Sequence, residues 1–181
     1  LAAVAWTWRR PAQGRRAAAA FVGGLVLYAA LAGALHSRAA RATARAELAA
    51  GRPAAEVHVI PRPGAPLRWN AFAVAAEAAE PRIAGYEVAG IPPEARLAAR
   101  FERGLDDPWV ARALATRDGQ AYLWWARVPA ATTRVEPHAV TVRIRDLRYT
   151  RTIVPTVETW APFELRFRFD PATGALLDTR W

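Results

Sequence analysis

From Ala17 to Leu35 the chain reads AAAAFVGGLVLYAALAGAL, nineteen residues without one charge. At a rise of about 1.5 Å per residue, such a run forms a helix roughly 28 Å long, close to the ~30 Å hydrocarbon core of a bilayer. Helices buried in soluble proteins rarely run this far without a charged side chain. The run is therefore read as a transmembrane helix over 17–35, and every other segment takes its place from it. Arg15 and Arg16 stand before it; His36, Arg38, Arg41 and Arg45 follow.

Residues 1–8, LAAVAWTW, are apolar and end in two tryptophans just before Arg9 and Arg10. Aromatics at the interface and arginines outside it are how a span leaves a bilayer. Residues 1–8 are expected to be the end of a preceding span and 9–16 a basic loop. A secretory signal has a basic region and then an apolar core. Here the apolar run is longer than such a core, and eight apolar residues already precede the basic region. A truncated multi-span protein is the expectation.

The net charge of +9 is unevenly placed. Residues 1–54 carry eight arginines and one acid, Glu47, whereas 55–181 carry seventeen arginines and fifteen acids. The excess of basic groups lies beside the span, where such residues set topology and meet anionic headgroups. A pI near 11.3 would otherwise suggest nucleic acid; the placement of the charge argues for a lipid bilayer and upstream helices as partners, and against nucleic acid. Arg9, Arg10, Arg15 and Arg16 mark a cytoplasmic loop by the positive-inside rule, which puts the later domain outside the cytoplasm of a cell's inner membrane. Arg38, Arg41, Arg45 and Arg52 weigh on the other flank. The chain has no Cys, so disulfides, thiol catalysis and zinc fingers are excluded for it.

Residues 36–54 are expected to continue the helix beyond the membrane and end it at Gly51 and Pro53. Arg38, Arg41 and Arg45 share one face there, suited either to lipid phosphates or simply to solvent. The remainder, 55–181, reads as one soluble α+β domain with a mostly antiparallel sheet. Strands are expected at 55–60, 67–76, 82–89, 120–128, 139–149, 163–169 and 175–181. PRPGAP at 61–66 is a stiff turn, and Glu80-Pro81 turns the next pair. Two short helices fall between the third and fourth strands. The first covers 94–103, with Leu97 and Phe101 as its apolar stripe. The second is capped by Asp107 and opened by Pro108, with Val110, Ala113 and Leu114 on its buried side. Asp118-Gly119 is read as a turn, and QAYLWWARV at 120–128 as a central strand. Val140, Val142 and Ile144 alternate and then change phase to Leu147 and Tyr149, which implies a bulge near Arg145-Asp146. Phe163, Leu165, Phe167 and Phe169 alternate with Glu164, Arg166 and Arg168 as a half-buried antiparallel strand. The turn 170–174 returns it as a hairpin.

Three stretches together resemble one family. PRPGAPLRW (61–69), AYLWWARVPAA (121–131) and VTVRIRDLRYT (140–150) are similar, in order and spacing, to segments that follow the last span of the YdjM-like membrane-bound metal-dependent hydrolases. The resemblance covers roughly 17–181. It implies a bacterial integral membrane protein with several N-terminal spans. It also implies a divalent metal in the full-length protein, held by His- and Asp-bearing segments of that upstream membrane part. Those segments are not matched here: His36-Ser37 is half of one and follows a different helix. No metal ligand and no catalytic residue is carried over to this chain.

The residues themselves agree. A hydrolytic metal site needs several His or carboxylate ligands and an open position for water. His36, His58 and His138 are isolated in sequence, and Ser37 is the single serine. His58 and His138 could meet near Asp146, but strand or turn histidines making ordinary hydrogen bonds are the favoured reading. Gly23-Gly24 lies inside the span and suits close helix packing. Arg143, Arg145, Arg148 and Arg151, around Asp146, form the densest polar cluster. They are candidates for contacting a phosphate, a carboxylate or lipid headgroups. The plainer reading is the solvent face of a strand with cross-strand ion pairs. Trp124 and Trp125 could stack on a ligand but suit a core. Trp69 and Trp160 suit a membrane interface or a sheet edge. Two functions follow: the C-terminal part of a membrane hydrolase whose metal site lies upstream, or a non-catalytic, membrane-tethered binding domain.

Overall fold

A computed structural model describes residues 11–75, 82–149 and 163–181. It divides into two compact units after Arg38. One helix, α1 (Pro11–Ala49), starts inside the segment expected as a basic loop. Proline is tolerated at a first helical position because the missing N–H would have had no partner there, and the alanines that follow favour helix. The helix is long and apolar enough to cross a membrane. Phe21, Leu25, Leu27, Tyr28 and Leu31 are all exposed. Cβ atoms added at Gly23, Gly24 and Gly33 would meet open space. At the other end Gly51 takes a positive φ of 73° and closes the helix as expected.

Among the described residues, the second unit holds eight strands and two short helices, an α+β arrangement. β1 (Ala54–Arg62), β2 (Ala65–Ala75), β3 (Arg82–Ala89) and β4 (Glu94–Glu102) form one antiparallel sheet in sequence order. β5 (Pro129–Glu136), β6 (Ala139–Asp146), β7 (Glu164–Phe169) and β8 (Leu176–Arg180) form a second. Between the sheets in sequence come α2 (Pro108–Leu114) and α3 (Arg117–Trp125).

Three expectations are corrected here. Residues 94–103 are not a helix but the strand β4, paired with β3 from Arg82↔Glu102 to Ala89↔Glu94. Its helix-forming composition is overridden by pairing, with Ala99 and Phe101 turned into the core. Residues 120–128 are not a strand. Thr116 caps α3 by accepting from the Gly119 N–H at 3.1 Å, so Gly119 opens a helix instead of a turn. A Cβ on Gly119 would run into the Ala113 carbonyl, which is why the two helices can approach there. The phase change after Ile144 is the end of β6 followed by a 3-10 turn over Leu147–Tyr149, with no bulge. The second expected helix forms as read. Asp107 accepts from the Trp109 and Val110 N–H groups, with Pro108 next. The Glu80-Pro81 turn lies outside the described residues.

Two cores result. Val140, Val142 and Ile144 of β6 and Leu165, Phe167 and Phe169 of β7 pack against Val110 and Ala113 of α2 and Tyr122 of α3. Phe72, Ile83, Ala99 and Phe101 of the first sheet pack against Val128, Ala130 and Leu147. The opposite face of the first sheet, with Ala71, Ala73, Ala84 and Tyr86 buried, meets the last turns of α1. Ala39, Thr43 and Glu47 are buried there at four-residue spacing. The Tyr86 hydroxyl donates to the Glu47 carboxylate, which also pairs with Arg52 at 3.3 Å. Burial, then the Glu47 contact, pushes the Tyr86 pKa up to about 12. Arg38, Arg41 and Arg45 lie on exposed positions of the same stretch.

Candidate functional site

The polar cluster around Asp146 separates into three different environments. Asp146 ends β6 and its side chain is fully buried. Its carboxylate accepts from the Arg127 N–H at 2.9 Å, from the Arg148 N–H at 3.0 Å and from the Arg148 guanidinium at 2.7 Å. Arg148 also donates to the Trp125 carbonyl at 3.1 Å. The pair therefore joins the end of α3 to the end of β6. The Asp146 contact holds the Arg148 guanidinium above its usual pKa. This arginine is committed to the fold.

Arg143 is committed as well. It stands opposite Arg166 in the β6–β7 register, an arrangement that would repel if unscreened. Glu164 bridges it: Arg143 donates twice to its carboxylate, at 2.7 and 2.8 Å, and Arg166 once, at 3.2 Å. Arg143 thus makes a cross-strand ion pair, whereas the Arg148 pair with Asp146 is local and half-buried.

Arg145 differs. It faces Glu164 directly in register, yet that carboxylate is already taken by Arg143 and Arg166. Arg145 has a longer-range attraction to Glu164 and a smaller one to Tyr122, opposed by repulsion from Arg143. It is half-buried, and burial is the largest cause of its lowered pKa. A buried guanidinium without hydrogen-bond partners is costly. Arg145 lines a groove of about 410 Å³ with Arg100 and Glu102 of β4, Gly104 and Asp107 of the connection, and Ala130 to Thr133 of β5. Thr133 stands opposite Val142, so its side chain lies on the core side of β5, away from Arg145; its hydroxyl oxygen is buried without a hydrogen bond among the described residues. Asp107 is engaged in capping α2, and Glu102 is exposed. Gly104, at φ 62°, lets its backbone pass against the Ala131 carbonyl, and the Ala131 N–H donates to the Arg103 carbonyl at 2.9 Å. These contacts fix β4 beside β5 and make the groove.

Arg100 and Thr132 were not singled out by sequence. They reach the groove only because 94–102 is a strand and 129–136 its neighbour. No local spacing signals that. Arg9, Arg10, Arg151 and Trp160 lie outside the described residues. Arg15 and Arg16 sit in the first turns of α1 and are exposed.

The described residues assemble no metal centre. Among the described residues, no three His, Asp or Glu side chains converge. His58 pairs with Glu56 at 3.1 Å, and His58, His138 and Asp146 are not brought together. The described residues therefore do not fit the divalent metal implied by the family resemblance, and no chemistry is derived through one. Trp69 is buried in β2, away from the interface role considered for it. Trp125 packs within a ring cluster with Tyr122, Tyr149 and Phe163, while Trp124 is exposed. The Tyr122 hydroxyl donates to the Phe163 carbonyl at 2.8 Å, and burial raises its pKa.

No family model, curated protein or solved structure matches this chain. The resemblance to the YdjM-like proteins therefore rests on its three motif segments. Within the described residues, those segments occupy the β1–β2 hairpin, the α3–β5 passage and β6 with its 3-10 turn.

Proposed function

We propose that this chain is the C-terminal part of an integral membrane, metal-dependent hydrolase resembling the YdjM-like proteins, with its hydrolytic metal site in upstream spans and its β-domain acting as a tethered accessory. The observation that carries the reading is the role of the motif residues. Trp69, Asp146 and Arg148, which bear the resemblance, are spent on core packing and on joining α3 to β6. Such residues preserve a domain's shape and leave the chemistry to other segments. The long apolar helix, with its large side chains exposed, supports membrane attachment. The arginines at 9, 10, 15 and 16 favour an extracytoplasmic β-domain.

The test is the natural protein purified from its membrane. The reading expects a mass well above 19.8 kDa, upstream spans with clustered His and Asp, and a hydrolase activity lost on chelation. A natural protein with no upstream ligands and no bound metal overturns it. Sidedness is separable. The absence of Cys allows a single Ala172→Cys, at an exposed turn, to report labelling by a membrane-impermeant maleimide in intact cells. Labelling is expected; protection until lysis reverses the orientation.

A second reading, a membrane-tethered binding domain without catalysis, is favoured by the groove at Arg145. It gains if the purified protein carries no metal but retains a ligand there.

A further inference from the structure

We infer that the tips of the β1–β2 and β3–β4 hairpins dock on the headgroup layer of an anionic bilayer. The inference rests on the reading of α1 as a membrane anchor and adds a second contact, made by the β-domain itself. Both tips lie at one end of the first sheet, because Arg68 near the start of β2 pairs with Ala89 at the end of β3. The Gly90 N–H joins them by donating to the Leu67 carbonyl at 3.3 Å. α1 leaves the sheet at the opposite end: Glu47 meets Tyr86, the helix stops at Ala49, and β1 begins at Ala54, opposite Ala75. Within the domain α1 therefore runs from the tips toward Ala75. From Glu47 back to Ala39 is eight residues, about 12 Å of helix. From Tyr86 on to Gly90 is four residues, about 13 Å of strand. Buried Ala39 thus stands level with the tips, at the end of the sheet where Trp69 and Val88 are buried on the same face as Tyr86. The uncharged run ends at Leu35, four residues before Ala39, a stretch of chain that spans about 14 Å at most.

The chemistry of the tips suits that layer. PGAPL (63–67) and GIPP (90–93) carry no charge, and Leu67 and Ile91 are 41% and 63% exposed. Pro63, Pro92 and Pro93 remove three N–H groups that would need partners where water thins out. Arginines stand just behind. Arg68, Glu87 and Arg96 lie on the sheet face that carries Asn70, and Arg62 reaches that face by its pair with Glu87 at 3.1 Å. Together with Glu94 they line a notch of about 280 Å³. Arg96 stands 3.8 Å from Glu94. Arg41 is exposed on α1, two residues past Ala39. Two acids thus face four arginines, and the excess is positive. Apolar side chains in front and arginines behind meet acyl chains and phosphates together. A second copy of this chain would bring the same arginines to the contact and be repelled.

The chain has no Cys, so single cysteines can report depth. Ile91→Cys carries an environment-sensitive fluorophore in the full chain, and Leu67→Cys repeats the measurement on the other tip. Ala55→Cys is the control. Ala55 is exposed at the end of β1 away from the tips, seven residues or about 23 Å from Arg62. Each labelled chain is reconstituted into phosphatidylcholine vesicles, with or without phosphatidylglycerol, that contain a nitroxide lipid. Flotation tests the anchor, and quenching tests the tips. Co-flotation is expected in both vesicles. With phosphatidylglycerol present, the tip probes should be quenched about threefold more than Ala55→Cys, since an interfacial segment reaches the acyl boundary. Omitting phosphatidylglycerol, or adding Arg68→Glu, should remove about half of that excess. A chain that does not float removes the anchored reading and this inference with it. A chain that floats with its tips quenched no more than Ala55→Cys overturns the inference and leaves the anchor standing. Tip probes shielded from water yet not quenched mean that a protein, a second copy included, covers the tips, which overturns it too. Quenching that ignores both phosphatidylglycerol and Arg68→Glu overturns the recognition of an anionic surface.

Discussion

Replacing Asp146 by Ala removes the partner of five hydrogen bonds at once. The Arg127 and Arg148 N–H groups, at 2.9 and 3.0 Å, lose their acceptor, and the Arg148 guanidinium loses its counter-charge. Breaking a buried ion pair by removing one member costs roughly 3–5 kcal/mol. Arg148 keeps 22% of its side-chain surface in water, so it can be partly rehydrated, and the lower end of that range applies to the pair. Stranding two backbone donors adds about 1 kcal/mol more after water enters. The expected loss is about 4 kcal/mol, a large share of the 5–15 kcal/mol typical of a folded domain. Asp146→Asn keeps an acceptor oxygen and should lose about half as much. Urea denaturation of the full chain in micelles, followed by tryptophan fluorescence, measures both. With a slope of about 2 kcal/mol per M, the midpoint should fall by about 2 M for Ala and about 1 M for Asn. A loss under about 1 kcal/mol for Asp146→Ala, the worth of an ordinary surface pair, would refute the role assigned to this carboxylate.

Tyr86, with its pKa raised to about 12, stabilises the fold fully below the unfolded value near 10. The contribution is lost as the pH climbs through the folded value, because the unfolded chain then gives up the proton first. Tyr86→Phe should therefore lower stability by about 1–2 kcal/mol near neutrality and flatten part of the alkaline decline between pH 10 and 12, read from denaturation midpoints. Gly119→Ala should cost about 2 kcal/mol or more, since the new methyl meets Ala113 backbone. Gly33→Ala, facing open space, should leave the melting temperature of the β-domain unchanged.

The parts legible in sequence were those whose signal is local. The uncharged run 17–35 needs only length and composition. The Asp107-Pro108 cap and the alternation of Leu165, Phe167 and Phe169 carry their geometry in adjacent residues. The misread elements depend on partners far away. EARLAARFE is built of helix formers and becomes β4 because β3 offers a full ladder of hydrogen bonds. QAYLWWARV is rich in strand formers, yet Thr116 and Gly119 start a helix whose Tyr122 fills the core under β6. PAATTRVE (129–136) opens with proline and has no clean alternation, so β5 passed unread. The groove failed to show for the same reason: two of its walls are these misread strands. The arginine cluster was visible, but which arginine stays uncommitted is decided by the register of β6 on β7, where one glutamate must serve three cations.

Each sheet runs in sequence order, every strand paired with its immediate neighbour along the chain. Loop closure is then cheap at each step, and such low contact order is the condition for rapid folding. The first meander can be complete, with Tyr86 already in reach of Glu47, before β5 is synthesised. The second adds on through the Ala131–Arg103 bond and the Leu147 contact with Phe72 and Phe101. A chain emerging from a ribosome beside a membrane would thus carry its exposed sheet edges only briefly, one hairpin at a time.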